Sequence, residues 1–465
     1  MGNSFKTVDR FAQRLAQNVL RFRWLVILAA VVSAFAIGSG ARHLEFANNY
    51  RVFFSDENPE LVAFENLQAT YTKNDNFFFV LEPADGNAFS NDTLAAVEEL
   101  TEAAWQIPFA IRVDSISNFQ HSYGVNDDLI VEDLYRDSNF MDRSERQRRG
   151  DVALAEPLLR NQLVTDNGSV TAVNVVLQYA EQSLTEVPEA VAAARELRAQ
   201  IEAAHPNIDV SLTGVSMLNN AFAETGTSDL GSLVPVMFGV ILLLTLVILR
   251  SVTATIATLA VIMLSSMVGM GWAGFAGIKL TPISGSAPII ILTLAIADSI
   301  HILISLRNAM REGMSKSDAL VEALRVNFLP VSITSLTTII GFLALNFSDS
   351  PPFWHLGNIT AVGIAAAWIY SITLLPALIS ILPYRQAATN RESRGELLMN
   401  RLAEFVIAHP RKLLLGLGAA TVVMISFIPS LDLNDQWTQY FDNRIEFRNE
   451  TDAALEHFGM YPIEY

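Results

Sequence analysis

Apolar residues in this chain are concentrated in blocks long enough to cross a lipid bilayer as helices. A membrane-spanning helix needs about 20 predominantly apolar residues, because the hydrocarbon core is about 30 Å thick. Seven stretches meet this requirement, at residues 24–41, 233–249, 252–274, 284–306, 328–347, 359–382 and 413–428. The pattern predicts a polytopic α-helical membrane protein.

The long polar segment between the first two stretches has a different periodicity. Short β-branched and aromatic runs alternate there with longer amphipathic ones, which is typical of βαβ units. Strands are predicted at 75–81, 110–116, 169–177 and 209–212, and helices at 93–105 and 186–204. Two successive βαβ units predict an α/β domain of ferredoxin-like βαβ repeats.

Residues 118–149, between the two βαβ units, are polar and show no periodicity. Arg143, Arg146, Arg148 and Arg149 form a basic cluster there that could contact acidic lipid or a protein partner. A solvated, partly mobile loop is the more general explanation for such a segment, and the composition favours it.

The distribution of lysine and arginine predicts which loops face the cytoplasm, because cytoplasmic loops carry an excess of both. The N-terminal stretch is basic, and the loops after the second, fourth and sixth spans are basic too. These residues are Lys6, Arg10, Arg14, Arg21 and Arg23, then Arg250, then Arg307, Arg311, Lys316 and Arg325, then Arg385, Arg391, Arg394, Arg401 and Arg411. The N-terminus is therefore predicted to be cytoplasmic, and the α/β segment extracytoplasmic.

Composition narrows the classes of function. The net charge is −17 and the acidic excess falls in the polar segment 42–229, which disfavours nucleic acid as a partner. The chain has no cysteine, so it can form neither a disulfide nor a thiolate metal site. It also lacks an HExxH pair, a P-loop and a Gly-x-Ser-x-Gly elbow, and we expect neither an enzyme nor a bound cofactor or metal.

The first apolar stretch has a second interpretation, as a cleavable signal peptide, since basic residues precede it and Gly38-Ser39-Gly40-Ala41 follows its core. A repeat argues against this. Around the first span the chain runs through Phe22-Arg23, an apolar stretch, Leu44-Glu45-Phe46 and Phe53-Phe54-Ser55. Around the seventh span, about 387 positions later, the same order returns as Pro410-Arg411, an apolar stretch, Leu431-Asp432-Leu433 and Tyr440-Phe441-Asp442. The seventh span thus begins a second copy of the first.

Asp298 is the residue most suggestive of function, because it lies near the centre of the fourth apolar stretch. Intramembrane carboxyl groups usually face a bundle interior and belong to ion or proton pathways. Burial disfavours the charged carboxylate, so Asp298 could bind and release a proton. The structural alternative is a permanently hydrogen-bonded carboxyl group that only pins neighbouring helices.

Three further residues are predicted to assist Asp298. His301 lies one helical turn away toward the cytoplasm and could relay the proton or simply hydrogen-bond at the membrane interface. Ser335 and Thr338, three apart in the hydroxyl-rich fifth span, could face the carboxyl group together and hydrogen-bond to it. Such residues also commonly serve only close helix packing.

The chain resembles the N-terminal half of a resistance-nodulation-division (RND) superfamily transporter, and in particular the MMPL-like, Patched-related exporters. The motifs that carry this resemblance are AIADSIHILISLRNAMREG at 295–313, SITSLTTIIGFLAL at 332–345 and TGVSMLNNAF at 213–222. It implies that Asp298 is the fourth-span proton-relay acid, that the external segment is a porter domain, and that a second half, or another subunit, completes the transporter.

The resemblance implies the following division. Residues 1–23 are an amphipathic cytoplasmic segment, 24–41 the first transmembrane helix, 42–230 the extracytoplasmic porter domain, 231–382 a five-helix bundle like a sterol-sensing domain, 383–412 a cytoplasmic linker, 413–429 the seventh transmembrane helix, and 430–465 the start of a second extracytoplasmic domain. The expected location is the bacterial inner membrane.

The favoured hypothesis is a proton-driven exporter of hydrophobic or lipid-like molecules, working with periplasmic accessory proteins or as an oligomer. The alternative is a lipid- or sterol-binding membrane receptor that changes shape without net transport. Sodium in place of protons is a further open alternative for the coupling ion.

Overall fold

The structure is a computed structural model that describes residues 2–47, 50–55, 57–71, 75–180, 183, 185–384, 394–431 and 437–459. Its helices are α1 Gly2–Arg21, α2 Arg23–Gly38, α3 Pro59–Thr70, α4 Asn91–Ala104, α5 Arg143–Ala155, α6 Glu186–Ala204, α7 Val215–Leu249, α8 Val252–Phe275, α9 Pro282–Gly285, α10 Ala287–Arg311, α11 Lys316–Leu343, α12 Pro351–Ile372, α13 Leu374–Ile381, α14 Arg394–Ala408, α15 Pro410–Ser426 and α16 Glu446–Phe458. Its strands are β1 Glu45–Phe46, β2 Asn76–Pro83, β3 Ala110–Asp114, β4 Gln120–Val125, β5 Asp128–Asp133, β6 Thr171–Leu177, β7 Ile208–Thr213 and β8 Lys279–Leu280.

The predicted spans are confirmed as helices. In the described part of the chain, seven helical stretches are long and apolar enough to cross a membrane: Arg23–His43, Val215–Leu249, Val252–Phe275, Pro282–Arg311, Lys316–Phe347, Pro351–Ile381 and Pro410–Ser430. Several extend past the apolar windows, because helical hydrogen bonding continues into polar sequence. The longest, α7, has 35 residues and thus a length of about 50 Å, so it also reaches into the α/β domain.

Glycines allow the first and third spans to pack with their backbones almost in contact. A Cβ atom on Gly271 of α8 would lie 2.2 Å from the Ile37 carbonyl oxygen, and one on Gly274 would lie 1.9 Å from the Gly40 carbonyl oxygen. Any larger residue would clash with backbone that has no room to move. Small residues at helix crossings are the usual means of close packing in membranes.

The polar segment folds into an α/β domain around a four-stranded antiparallel sheet. The strand order is β3-β6-β2-β7, so each βαβ unit is split by a strand of the other unit. Phe77, Phe79 and Leu81 of β2 are fully buried on the face that α4 and α6 cover. The strands and helices expected in this segment are all found, each within a few residues of its predicted bounds.

The expectation of a loop at 118–149 is wrong. Strands β4 and β5 form a hairpin there, turned by Asn126 in the left-handed region at φ 56°, and α5 begins at Arg143. Periodicity missed the helix because its sequence is polar and the contacts that hold it in place are tertiary. Arg149 donates to the Leu134 carbonyl oxygen at 2.7 Å and pairs with Glu132 of β5 at 2.9 Å, which fixes the helix against the hairpin.

The repeat inferred from sequence is present as structure. Helix α15, the short 3-10 helix Trp437–Tyr440 and α16 each begin 387 positions after α2, the 3-10 helix Tyr50–Phe53 and α3, at 410 against 23, 437 against 50 and 446 against 59. Asp432 and Leu433 of the repeated motif lie outside the described residues. So do residues 385–393 of the predicted linker 383–412.

Helix α16 follows the seventh span yet packs on the first α/β domain. The ring of Phe458 lies 5.5 Å from that of Phe78, edge to face, and the hydroxyls of Thr451 and Thr213 are 2.6 Å apart. Arg198 of α6 also forms ion pairs with two acids of α16. The second face of the sheet is therefore covered by a segment more than 200 positions away in sequence.

Candidate functional site

Asp298 faces the interior of the helix bundle. It lies on α10, which follows the short helix α9, itself begun by a capping box between Thr281 and Ser284. Only 8% of the surface of Asp298 is exposed. Its helical neighbours Ala295 and Ile302 are buried on the same side. Translocon scales put a carboxylate at the centre of a membrane helix at roughly 2.5–3.5 kcal/mol unfavourable, so this burial needs a compensating contact.

Ser335 supplies that contact. Its hydroxyl donates to Oδ2 of Asp298 at 3.0 Å across the seam between α10 and α11, and Ser335 is 4% exposed. Among the described residues, no lysine or arginine forms an ion pair with this carboxyl group. The structure therefore places Asp298 and Ser335 together as predicted, with the carboxyl group hydrogen-bonded but not neutralised by a permanent cation.

The predicted hydrogen bond from Thr338 to Asp298 is wrong in this structure. The Thr338 hydroxyl donates to the Thr334 carbonyl oxygen of its own helix at 2.7 Å. A hydroxyl has one proton to donate, so none is left for the carboxyl group. The carbonyl four positions earlier is the nearer acceptor for a β-branched hydroxyl residue on a helix.

His301 lies at the outer surface of α10 rather than beside the carboxyl group. It is exposed, and no hydrogen bond joins it to Asp298 in the described structure. Three residues along a helix correspond to a rotation of about 300°, which leaves the imidazole displaced toward the outside of the bundle while Asp298 faces α11. Its role as a relay stays a prediction without a direct contact.

A second polar contact crosses the same seam and was missed from sequence. Nδ2 of Asn327 on α11 donates to the Ser305 hydroxyl oxygen of α10 at 2.7 Å and to the Ala323 carbonyl oxygen at 2.8 Å. Asn327 is 8% exposed. It was overlooked because it precedes the apolar window, although its spacing of eight from Ser335 puts both residues on one helix face.

The fifth and sixth spans are joined by a further hydrogen bond. Nε1 of Trp368 on α12 donates to the Ser332 hydroxyl oxygen of α11 at 3.1 Å. Tyr370 is buried, with its hydroxyl 3.1 Å from that of Ser33 on the first span. Trp368 and Tyr370 of α12 thus contact the other helices of the bundle.

The N-terminal helix α1 holds one end of α11. Asp9 pairs with Nη1 of Arg325 at 2.9 Å, and the rings of Phe11 and Phe328 meet edge to face at 5.5 Å. Ala12 and Ala16 of α1 are buried by the bundle. We call this end of the bundle the α1 end. The opposite end, where β1 and β8 pair, is the domain end.

A search of the described residues for metal ligands finds no group of three histidine, aspartate or glutamate side chains able to hold an ion. The groups that the structure brings together at Asp298 are a carboxyl group and its hydroxyl donor. This pair can bind a proton, release it, and change the contact between two helices as it does so.

Comparison with known proteins places the chain in a family. A sequence profile of the MMPL family matches residues 53–413. A membrane protein of Methanocaldococcus jannaschii is 28% identical over 176 residues, 38% of this chain and 45% of the relative. The hopanoid transporter HpnN of Rhodopseudomonas palustris is 31% identical over 98 residues, 21% of this chain and 11% of the relative.

A third relative is the mycolic acid-containing lipids exporter MmpL11 of Mycolicibacterium smegmatis, 24% identical over 180 residues, 36% of this chain and 18% of the relative. In each case the match spans less than half the length of the relative. The family profile, by contrast, covers most of this chain, from the polar segment to the start of the seventh span. The chain therefore belongs to the MMPL family, as its motifs predicted.

Proposed function

We propose that this chain is part of a proton-driven exporter of hydrophobic or lipid-like molecules in the bacterial inner membrane. Asp298 is its coupling residue and Ser335 the donor that stabilises the charged form. The α/β domain at 42–230 is an extracytoplasmic porter domain, and the N-terminus is cytoplasmic. His301 assists at the bundle surface.

The burial of Asp298, with no lysine or arginine paired to it among the described residues, carries this proposal. A carboxyl group paired with lysine or arginine would stay charged, whereas one held by a single neutral hydroxyl can alternate between charged and neutral forms. Because Ser335 and Asp298 lie on different helices, a change in charge at Asp298 alters the contact between α10 and α11. That link is what coupling requires.

Two other observations support the substrate class and the orientation. Relatives of the chain are named as a hopanoid transporter and as an exporter of mycolic acid-containing lipids, both of which act on hydrophobic molecules. The N-terminal stretch and the loops after the second, fourth and sixth spans are rich in lysine and arginine, and the acidic excess lies in the segment 42–229. This is the arrangement expected of a cytoplasmic N-terminus.

The test is transport by the full-length protein in phospholipid vesicles under an imposed pH gradient. Two probes are used, a hopanoid and a fluorescent phosphatidylethanolamine, and transfer to an external acceptor is measured. Asp298→Asn keeps the shape of the side chain but cannot ionise, so we expect gradient-dependent transfer to fall at least tenfold.

The same measurement separates the alternatives. Retention of full gradient-dependent transfer by the Asp298→Asn variant would remove the proposed role of this residue. Binding of a probe without transfer would identify a receptor instead. Transfer that follows a sodium gradient and ignores pH would replace the proton by sodium.

A further inference from the structure

Two polar contacts cross the seam between α10 and α11, one at Asp298 and Ser335 and the other at Ser305 and Asn327. They are seven residues apart on α10 and eight apart on α11, about 10–12 Å along the helices. The second contact is the nearer one to the α1 end. The proposed function needs a route by which a proton leaves Asp298 toward the cytoplasm, and the second contact lies on the α1 side of the carboxyl group.

An apolar layer separates the two contacts. Ile302 lies between Asp298 and Ser305 on the same face of α10, and Val331 lies between Asn327 and Ser335 on the same face of α11. Both are buried, at 1% and 2% exposure. Water at the Ser305–Asn327 contact would therefore meet two apolar side chains before it reached the carboxyl group.

Pro330 stands beside this layer, in the middle of α11. Proline has no N–H, so the helical hydrogen bond to the Val326 carbonyl is missing and the helix can bend there at a lower cost. Both arms of α11 are held to α10, the arm before Pro330 through Asn327 and the arm after it through Ser335. Their other partners differ, because Arg325 joins the first arm to α1 and Ser332 joins the second to α12.

We propose that α11 is a gate that bends at Pro330 and moves Val331 away from Ile302. Water then enters the seam from the Ser305–Asn327 contact, and the neutral Asp298 carboxylic acid gives its proton to a water molecule there. Asp298 becomes a carboxylate, and the water becomes a hydronium ion that leaves toward the α1 end. Val331, Pro330 and Asn327 are positioning residues, and the proposal rests on the proposed function for the direction and purpose of the proton movement.

The absence of cysteine in this chain permits a direct test. A Ser335→Cys reporter is placed in the full-length protein in vesicles, with any cysteine outside this chain replaced by serine. It is exposed, from the α1 side, to a charged methanethiosulfonate reagent, and the labelling rate is measured. We expect slow labelling of the reporter alone. Adding Val331→Thr, which keeps the side-chain size but makes the layer polar, should raise the rate at least tenfold.

Leu336→Thr is the matched control, since it introduces the same residue on the exposed face of the same helix and should change the rate less than twofold. Pro330→Ala restores the missing hydrogen bond and should abolish any acceleration of labelling by a pH gradient. The gate is overturned if Val331→Thr labels no faster than Leu336→Thr, or if Pro330→Ala still shows the acceleration. Labelling does not depend on transport, so the two proposals can fail separately. Proton-driven transfer together with no faster labelling of the Val331→Thr variant would refute the gate alone. Faster labelling of that variant without proton-driven transfer would refute the proposed function alone.

Discussion

At the scale of single residues, the contact between Asp298 and Ser335 determines what the fourth span can do. Hydrogen bonds to charged groups contribute about 1.5–3 kcal/mol, and this one favours the ionised carboxyl group. Because Thr338 and Thr337 bond to their own helix, the hydroxyl-rich run contributes one donor to the site and not several.

Removing the Ser335 hydroxyl should therefore affect coupling, while removing that of Thr338 should not. Ser335→Ala is expected to shift the pH dependence of transfer toward higher pH and to lower the rate about tenfold at neutral pH, because the carboxylate loses its donor. Thr338→Val, a matched loss of a hydroxyl on the same helix, should leave transfer within twofold. Equal effects of the two variants would contradict the assignment of Ser335.

Glu145 allows a pH prediction outside the membrane. Hydrogen bonds from Arg148 and then Arg149 lower the pKa of Glu145 from its ordinary value of 4.5 to about 2. A carboxyl group whose pKa is lower in the folded state stabilises that state above pH 4.5 and loses this contribution as the pH falls toward 2. The pairs are partly solvent-exposed, so the contribution is about 0.2–1 kcal/mol.

Glu145→Gln should thus destabilise α5 itself at pH 7, because both arginine partners lie on the same helix, and have no effect below pH 2. Hydrogen exchange of the α5 amides measures this local stability at each pH. Asp151→Asn, the same chemical change in the same helix, is the control. A destabilisation by Glu145→Gln that persisted unchanged at low pH would show that the ion pairs are not its source.

At the scale of elements, the approach of α2 to α8 depends on glycine. A Cβ atom at Gly271 would lie 2.2 Å from a backbone oxygen, whereas one at Gly341 on α11 would meet nothing within 4 Å. The two positions are both helical, so they differ in packing and not in backbone conformation.

Gly271→Ala should destabilise the protein by about 1–3 kcal/mol, the usual cost of overpacking. Gly341→Ala should instead stabilise it by roughly 0.5–1 kcal/mol, because alanine is the better helix former. Thermal unfolding in detergent gives the sign of each change. A Gly271→Ala protein at least as stable as the unchanged chain would mean that α2 can move away from α8 without loss.

At the scale of the whole molecule, the chain returns to its first domain after the seventh span. Helix α16 covers the face of the sheet that carries Phe78 and Val80, opposite the face covered by α4 and α6. This explains why β2 is an uninterrupted apolar run, since a strand buried on both faces needs no polar alternation.

Removing a side chain by which α16 packs on the sheet should therefore lower the stability of the α/β domain. Phe458→Ala removes a half-buried ring from Phe78 and is expected to cost about 1–2 kcal/mol, less than the 3–5 kcal/mol of a fully buried phenylalanine. Faster hydrogen exchange in β2 and β7 is the readout. Glu456→Ala, on the exposed side of the same helix, should leave exchange unchanged, and equal exchange in both variants would exclude a packing role for the ring.

The elements of the fold were predictable where their cause is local. Apolar blocks of membrane-spanning length predict helices because a segment in lipid must satisfy its own backbone hydrogen bonds. Runs of β-branched residues between turns predict strands because these residue types favour the extended conformation. The hairpin and helix at 120–155 were not predictable in this way. Their polar sequence is ordered by Arg149, whose partners lie up to 17 positions away.

The candidate site divides along the same line. The position of Asp298 in an apolar block was enough to single it out. The block predicts a membrane environment, and burying a carboxyl group in that environment costs free energy. Which hydroxyl donates to it, where His301 lies and what Asn327 contacts depend on the rotation and register of α10 against α11. Sequence alone therefore determined the spans, the four strands of the main sheet and the buried acid. Only the tertiary packing decided the partners of that acid, since hydrogen bonds between helices act within about 3 Å and periodicity does not define geometry at that scale.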